Sequence, residues 1–414
     1  MARMVAARSL IAVLIASFPV PIWPQTGYQY EEMAPDPVLK TPATLDSMMM
    51  RAGYEQRHRD CLDAGLHIDA VLALKPDWAG ARELRLYCER QEERRVEEMD
   101  DLNKLIDLQQ DYWRRWSDRA DLHEKNLEQQ MALEDVSRAI ELLPWGIDLY
   151  IRRGDWKEKL QDYGGAFADA EEVHRLAPES VRQVKEMARL ALLAGQSEPV
   201  VARYRKLAEI GDPKPEDSPR KDDDLSTAGM GSEELTLRAG YALTLGKLEL
   251  ELKFLSAALA VQPGLIPALE RRVEIARMEK QWIALNPRQD VERLIELNPK
   301  RADYYRFRIE FRPFPKDPEA TLRDMGTIIR LEPYEARNYY DRAYFELGLK
   351  DPDSAIEDLR HAIDLDPSNA QYCYRLSKAY AQKKALLTEA LALNWALIGE
   401  PDNAVWLRER AKLP

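Results

Sequence analysis

Glycine and cysteine are scarce in this chain, which has 18 glycines and 3 cysteines among 414 residues. Few glycines argue against a protein built from many tight strand turns. The residues present instead are 45% hydrophobic and 32% charged, with Ala, Leu, Glu, Arg and Lys prominent. Because these residues favour helices, we expect an almost entirely α-helical protein.

Three cysteines, Cys61, Cys88 and Cys373, are too few for a disulfide framework. Two interpretations stay open. In an exported chain Cys61 could pair with Cys88, and the alternative is that all three are small, buried apolar side chains.

Positive charge is also in deficit, since the formal net charge is −12 and the isoelectric point is about 5.2. A nucleic-acid binder needs a basic surface that releases counterions from phosphates. No polybasic run suggests membrane-surface binding either. We therefore expect no nucleic-acid partner.

The N-terminus carries the one long apolar run, from Leu10 to Trp23, and Arg3 and Arg8 precede it. A basic segment followed by an apolar one is typical of an export signal. The run is shorter than the roughly 20 residues of a membrane span. We expect residues 1–30 to be a signal peptide or N-terminal anchor, residues 31–44 to be an extended linker, and the protein to be periplasmic or secreted.

Prolines mark a repeat. Pro299, Pro333, Pro367 and Pro401 follow one another at intervals of 34 residues, and Pro144 and Pro178 have the same spacing. Within one interval, Ala343 lies in one amphipathic segment, and Ala355 and Ala362 lie on one face of the next. Small residues let helices approach closely, and proline ends the second helix. The pattern predicts helix, turn, helix, stop.

These segments resemble tetratricopeptide repeats. The segment from Trp113 to Pro144 has Trp116, Ala120, Ala132 and Ala139 where that family places its aromatic and small residues. The resemblance implies an α-solenoid of about ten helix-turn-helix repeats wound as a right-handed superhelix, as one body or two arms. We assign five repeats to 45–212, a flexible hinge or insertion to 213–231, five repeats to 232–403 and a short polar cap to 404–414.

Two repeats depart from the pattern. The 266–301 unit is two residues too long, near Asn286 and Pro287, and Phe311 to Pro315 interrupt the first helix of the 302–335 unit.

No catalytic constellation is apparent. The five histidines are scattered, and no complete phosphate-binding or zinc motif occurs. We expect a non-enzymatic protein without cofactor or metal.

Binding is expected on the concave face, which the resemblance assigns to the first helix of each repeat. The second, fifth and ninth positions of those helices supply a groove near the C-terminus, and we expect a peptide or protein to bind there. Its residues are Arg306, Arg337, Tyr340, Tyr344, Tyr374 and Lys378. The predicted function is an interaction scaffold or adaptor that assists assembly in the cell envelope. The alternatives are a structural subunit of an envelope complex and a helical-repeat RNA binder.

Overall fold

The computed structural model describes residues 44–211, 227, 229–279, 286–312 and 317–414, and the expected all-α fold is confirmed there. The described residues form twenty-one α-helices and no strand. The predicted signal segment, nearly all of the linker and most of the predicted hinge lie outside them.

Twenty of the helices form ten antiparallel pairs in chain order, followed by one short helix. The pairs are α1 (Leu45–Arg57) with α2 (Cys61–Leu74), α3 (Ala79–Gln91) with α4 (Arg95–Leu108), α5 (Trp113–Lys125) with α6 (Gln129–Leu142), α7 (Ile147–Lys159) with α8 (Tyr163–Leu176), α9 (Val181–Leu193) with α10 (Glu198–Gly211), α11 (Ser232–Thr244) with α12 (Leu248–Val261), α13 (Ile266–Glu279) with α14 (Pro287–Leu297), α15 (Ala302–Glu310) with α16 (Pro318–Leu331), α17 (Ala336–Gly348) with α18 (Pro352–Leu365), and α19 (Ala370–Gln382) with α20 (Leu386–Gly399). The last helix is α21 (Ala404–Arg410). We number the pairs as repeats 1 to 10.

Small residues pack where the sequence predicts. Ala343, Ala355 and Ala362 are fully buried between α17, α18 and their neighbours. Helix α18 ends at Leu365, just before Pro367. The helix pair encoded by this interval is confirmed.

The structure is irregular in the same two repeats whose sequences depart from the pattern. Helix α14 begins at Pro287, after Asn286 in the left-handed conformation. Helix α15 has nine residues and ends at Glu310, whereas α17 has thirteen. The helix-breaking stretch from Phe311 therefore shortens the first helix of repeat 8.

An arginine on the first helix binds a buried aspartate on the second helix in six repeats, and we call this contact the Arg–Asp bridge. In five of them the partners are 16 residues apart, and in the longer repeat 7 they are 18 apart. Several of these arginines also bind the second helix of the preceding repeat, as Arg85 does through Asp69 at 2.9 Å. The pairs are Arg85–Asp101, Arg119–Asp135, Arg153–Asp169, Arg272–Asp290, Arg308–Asp324 and Arg342–Asp358.

In repeats 2 and 9 the residue four positions after the bridging arginine is a buried glutamate, Glu89 or Glu346. Burial, together with the charge of the nearby aspartate, raises the pKa of each carboxyl group to about 7 against the pull of the arginine. One oxygen of each glutamate has no hydrogen-bond partner. These two groups therefore penalise the fold when they ionise.

Replacing either glutamate by glutamine is expected to stabilise the protein at high pH. Below the ordinary pKa of 4.5 both states are protonated, and between 4.5 and about 7 the unfolded state loses its proton first, so the penalty grows. In urea titrations, the free energy of unfolding of Glu346→Gln should be higher than that of the parent by about 1 to 2 kcal/mol at pH 8. The difference should be much smaller at pH 5. The exposed Glu249→Gln is the control, and a pH-independent gain for Glu346→Gln would contradict the assignment.

The cysteines are resolved in favour of the pairing alternative. Cys61 in α2 and Cys88 in α3 form a disulfide, with their Cα atoms 5.3 Å apart. Cys373 is free and buried, and burial raises the pKa of its thiol. The interpretation of all three as buried apolar thiols was wrong for the first two.

The described residues from 44 onward form one compact unit, in which the first five repeats touch the last five. We call these two halves the N-terminal arm and the C-terminal arm. Near one end, Arg57 Nη2 donates to Gly399 O at 2.8 Å and Trp78 Nε1 donates to Asp364 O at 2.7 Å. Further along, the Tyr334 hydroxyl donates to Asp111 Oδ1 at 2.6 Å. As the contacting residue number rises along the N-terminal arm, the number of its partner falls along the C-terminal arm.

Glycines on first helices permit this approach. A Cβ at Gly80 would lie 2.6 Å from Asp364 O, and one at Gly53 would overlap Ser368. The opposite arm thus comes against the very positions that face inward in repeats 1 and 2.

Substitution of Gly80 by alanine should destabilise the protein, although alanine is the better helix former. The new methyl group would meet a backbone carbonyl and push the arms apart. Gly65 provides the matched control, because a Cβ there would have nothing within 4 Å. In thermal unfolding, Gly80→Ala should be less stable than the parent. Gly65→Ala should be more stable than the parent by about 0.5 to 1 kcal/mol. A gain at both sites would show that the arms do not meet at Gly80.

Candidate functional site

The first helices of consecutive repeats contact one another, as α1 does with α3 and α17 does with α19. A stack of helix pairs that brings its first helices together bends toward them. The positions of the first helices that are turned away from the second helices therefore form the inner, concave face of the stack. The predicted site residues belong to the first helices of repeats 8, 9 and 10.

Arg306 is engaged within the protein. Its guanidinium donates to Asp303 Oδ1 at 2.9 Å and to Asn338 Oδ1 at 2.9 Å, and it also pairs with Glu332. These contacts tie repeat 8 to repeat 9. Arg306 therefore has a role at the repeat junction.

Tyr374 and Lys378 are covered by the last helix. The Tyr374 ring stacks on Trp406 with centroids 4.8 Å apart, and Lys378 Nζ donates to Glu409 at 2.6 Å. Burial lowers the pKa of Lys378, but the bond to Glu409 and the neighbouring charges outweigh it, and the net shift is upward. The C-terminal segment thus occupies this part of the predicted groove.

Arg337, Tyr340 and Tyr344 come together with a fourth residue, Arg375. The Arg337 guanidinium lies 5.3 Å from the Tyr340 ring centre, and Arg375 lies 5.8 Å from the Tyr340 ring and 4.6 Å from the Tyr344 ring. Arg375 also donates to the Tyr340 hydroxyl at 3.3 Å. We call these four residues the tyrosine–arginine strip.

The strip is open at both ends. The side chain of Arg337 is 67% exposed and Tyr344 is 57% exposed. Arg337 Nε donates to Asp341 at 2.7 Å, and burial raises the pKa of Asp341 against the pull of Arg337. Arg375 Nε is buried and has no hydrogen-bond partner. Two cations and two aromatic rings thus meet in the strip, and Asp341 is the carboxylate that Arg337 binds there.

Other first helices differ from the strip, because their charges pair across repeats. Arg152 binds Asp121 at 2.5 Å, and Arg189 binds Glu158 at 2.6 Å. These pairs neutralise the charges of Arg152 and Arg189.

Sequence reasoning missed Arg375 and Trp406. Arg375 follows Tyr374 at the sixth position of its repeat, which was outside the positions considered. Trp406 lies in the predicted cap, which the sequence suggested to be polar because of Arg408, Arg410 and Lys412. The structure instead buries Trp406 against repeat 10.

The described residues contain neither a metal-binding cluster nor a membrane-spanning helix. No group of three or more His, Cys, Asp or Glu side chains is placed to hold a metal ion in that part of the chain. Within the same ranges no helix has both the length and the apolar character needed to cross a membrane.

Comparison with known proteins identifies one repeat directly, since the tetratricopeptide repeat family matches residues 336–369, which contain α17 and α18. No curated protein matches the sequence. Similar solved structures include the MamA protein, with 16% identity, a TM-score of 0.36, and coverage of 42% of this chain and 94% of that one. PilF of Pseudomonas aeruginosa has 14% identity, a TM-score of 0.31 and coverage of 56% and 97%. A structure of Naa15/Naa10 bound to HypK-THB has 14% identity, a TM-score of 0.35 and coverage of 89% and 66%.

Proposed function

Since the chain is a tetratricopeptide-repeat protein, we propose that it is a scaffold that binds a peptide or protein through the tyrosine–arginine strip. The observation that carries this proposal is the pairing of exposed Tyr344 with Arg375, whose Nε lacks a partner. Tyrosine and arginine are enriched at protein interfaces.

The chemistry of the strip favours an acidic segment with an apolar side chain. Guanidinium groups bind carboxylates through parallel hydrogen bonds, and the tyrosine rings can cover adjacent apolar groups. A partner carboxylate near Arg375 would satisfy its buried N–H group. Recognition would therefore depend on both charge and ring contact.

Loss of the strip should abolish partner retention while the fold is kept. The test is affinity capture with residues 31–414 as bait, comparing the parent with Tyr344→Ala plus Arg375→Ala. The control is Tyr87→Ala plus Arg182→Ala, because Tyr87 has the position of Tyr344 in repeat 2 and Arg182 has the position of Arg337 in repeat 5. Truncating a Tyr or Arg that is a binding hot spot costs about 2 kcal/mol or more, a loss of roughly 30-fold in affinity.

The decisive readout is a partner that the parent and the control retain and the strip variant loses. An acidic peptide taken from that partner should compete for binding. Equal retention by all three proteins would show that another surface binds. Circular dichroism on each variant ensures that a loss is not caused by unfolding.

We also propose that the chain is exported and acts as an adaptor or assembly factor in the cell envelope. The basic and apolar N-terminal sequence supports export, and so does the Cys61–Cys88 disulfide, because such bonds persist in oxidising compartments.

Protein recovered from its native cell should lack the leader and contain one reactive thiol when denatured without reductant, because only Cys373 is free. Intact-mass measurement with thiol labelling tests both points. Three labelled thiols together with an intact Met1 would contradict export.

A further inference from the structure

A cavity of about 370 Å³ lies in the C-terminal arm, between α14, α15 and α16. It lies beside the C-terminal end of α15, which stops at Glu310. Val291 and Phe311 contribute its apolar wall. Its volume is within the range of small-molecule sites.

The cavity is rich in arginine. Arg288, Arg308, Arg312 and Arg323 line it, and Glu292 and Asp324 are its two acidic residues. Four guanidinium charges against two carboxylates leave an excess of two positive charges. This excess stands out in a chain whose net charge is −12.

The Arg–Asp bridge accounts for only part of this charge. Arg308 binds Asp324 at 2.5 Å and Glu292 at 3.1 Å, as the corresponding arginines do in other repeats. Arg312 is a second cation on Asp324, and it occupies the place held by Glu89 in repeat 2 and Glu346 in repeat 9. Repeat 8 thus has a cation where two other repeats have an acid.

The remaining arginines keep donors for a ligand. Arg312 Nε is buried without a hydrogen-bond partner, which normally costs about 1 to 3 kcal/mol. Among the described residues, Arg288 makes one hydrogen bond, from Nε to Phe311 O at 2.9 Å. Arg323 contacts Glu319 at 3.7 Å, in a largely exposed pair that is worth little.

We propose that this cavity binds a small oxyanion ligand with about two negative charges, carried on phosphate or carboxylate groups. Guanidinium groups match both through charge-assisted, often paired, hydrogen bonds. The anion would neutralise the excess charge and accept a hydrogen bond from the unsatisfied Nε–H of Arg312. The site is independent of the tyrosine–arginine strip, which shares none of its residues.

Calorimetric titration at constant ionic strength tests the proposal with two probes, inorganic phosphate and succinate. The parent should bind at least one of them, and the response distinguishes a phosphate site from a carboxylate site. Arg288→Gln and Arg323→Gln should each weaken binding by about tenfold or more, since each removes a charged donor. Arg293→Gln, an exposed arginine on α14 outside the cavity, is the matched control and should bind like the parent.

Arg312→Gln should weaken binding as well, and its melting temperature without ligand must be measured because Arg312 also contacts buried Asp324. If this variant unfolds, the other two variants still decide the matter. No measurable binding of either probe by the folded parent at concentrations on the order of 10 mM would overturn the proposal, because a built anion site should reach at least millimolar affinity. Unchanged affinity in both Arg288→Gln and Arg323→Gln would overturn it equally.

Discussion

The bridge between an arginine on the first helix and a buried aspartate on the second is the contact on which six of the ten repeats depend. A buried carboxylate must be paired, because an unpaired one costs about 3 to 5 kcal/mol. Pairing Asp358 brings Arg342 across the helix pair through two hydrogen bonds, so the bridge sets the register of the two helices. The bridge persists in repeat 7, where the separation is 18 residues, so the register survives an insertion between the helices.

The bridge also explains the variety of the residue that follows it by four positions. Where that residue is Glu89 or Glu346, two acids share one arginine and the pKa of the glutamate rises. Where it is Lys157 or Arg312, a second cation joins the aspartate instead. One position thus changes the charge inside these four repeats, while the bridge itself is kept.

The sequence was informative about structure within a repeat and much less so about contacts between distant segments. The spacing of prolines and alanines predicted the helix pairs, because the packing of each pair depends on neighbours within one repeat. Contacts such as Trp78 with Asp364 join residues 286 apart in the chain, and no periodicity indicates them. The same distinction applies to the candidate site. Position within the repeat identified the inner face, but it did not indicate that Tyr374 is covered by Trp406 from a helix beyond the last repeat.

Closure of the arms has a consequence for recognition. In repeats 1 and 2 the inward positions Gly53 and Gly80 lie against the opposite arm, so a partner has no access there. In the N-terminal arm further along, cross-repeat ion pairs satisfy the charges. An anionic partner is repelled by a chain of net charge −12, and local fields at cation-rich places then decide where it binds. The tyrosine–arginine strip and the arginine cavity are two such places, and they differ in shape: the strip suits a chain laid across a surface, whereas the cavity suits a small anion.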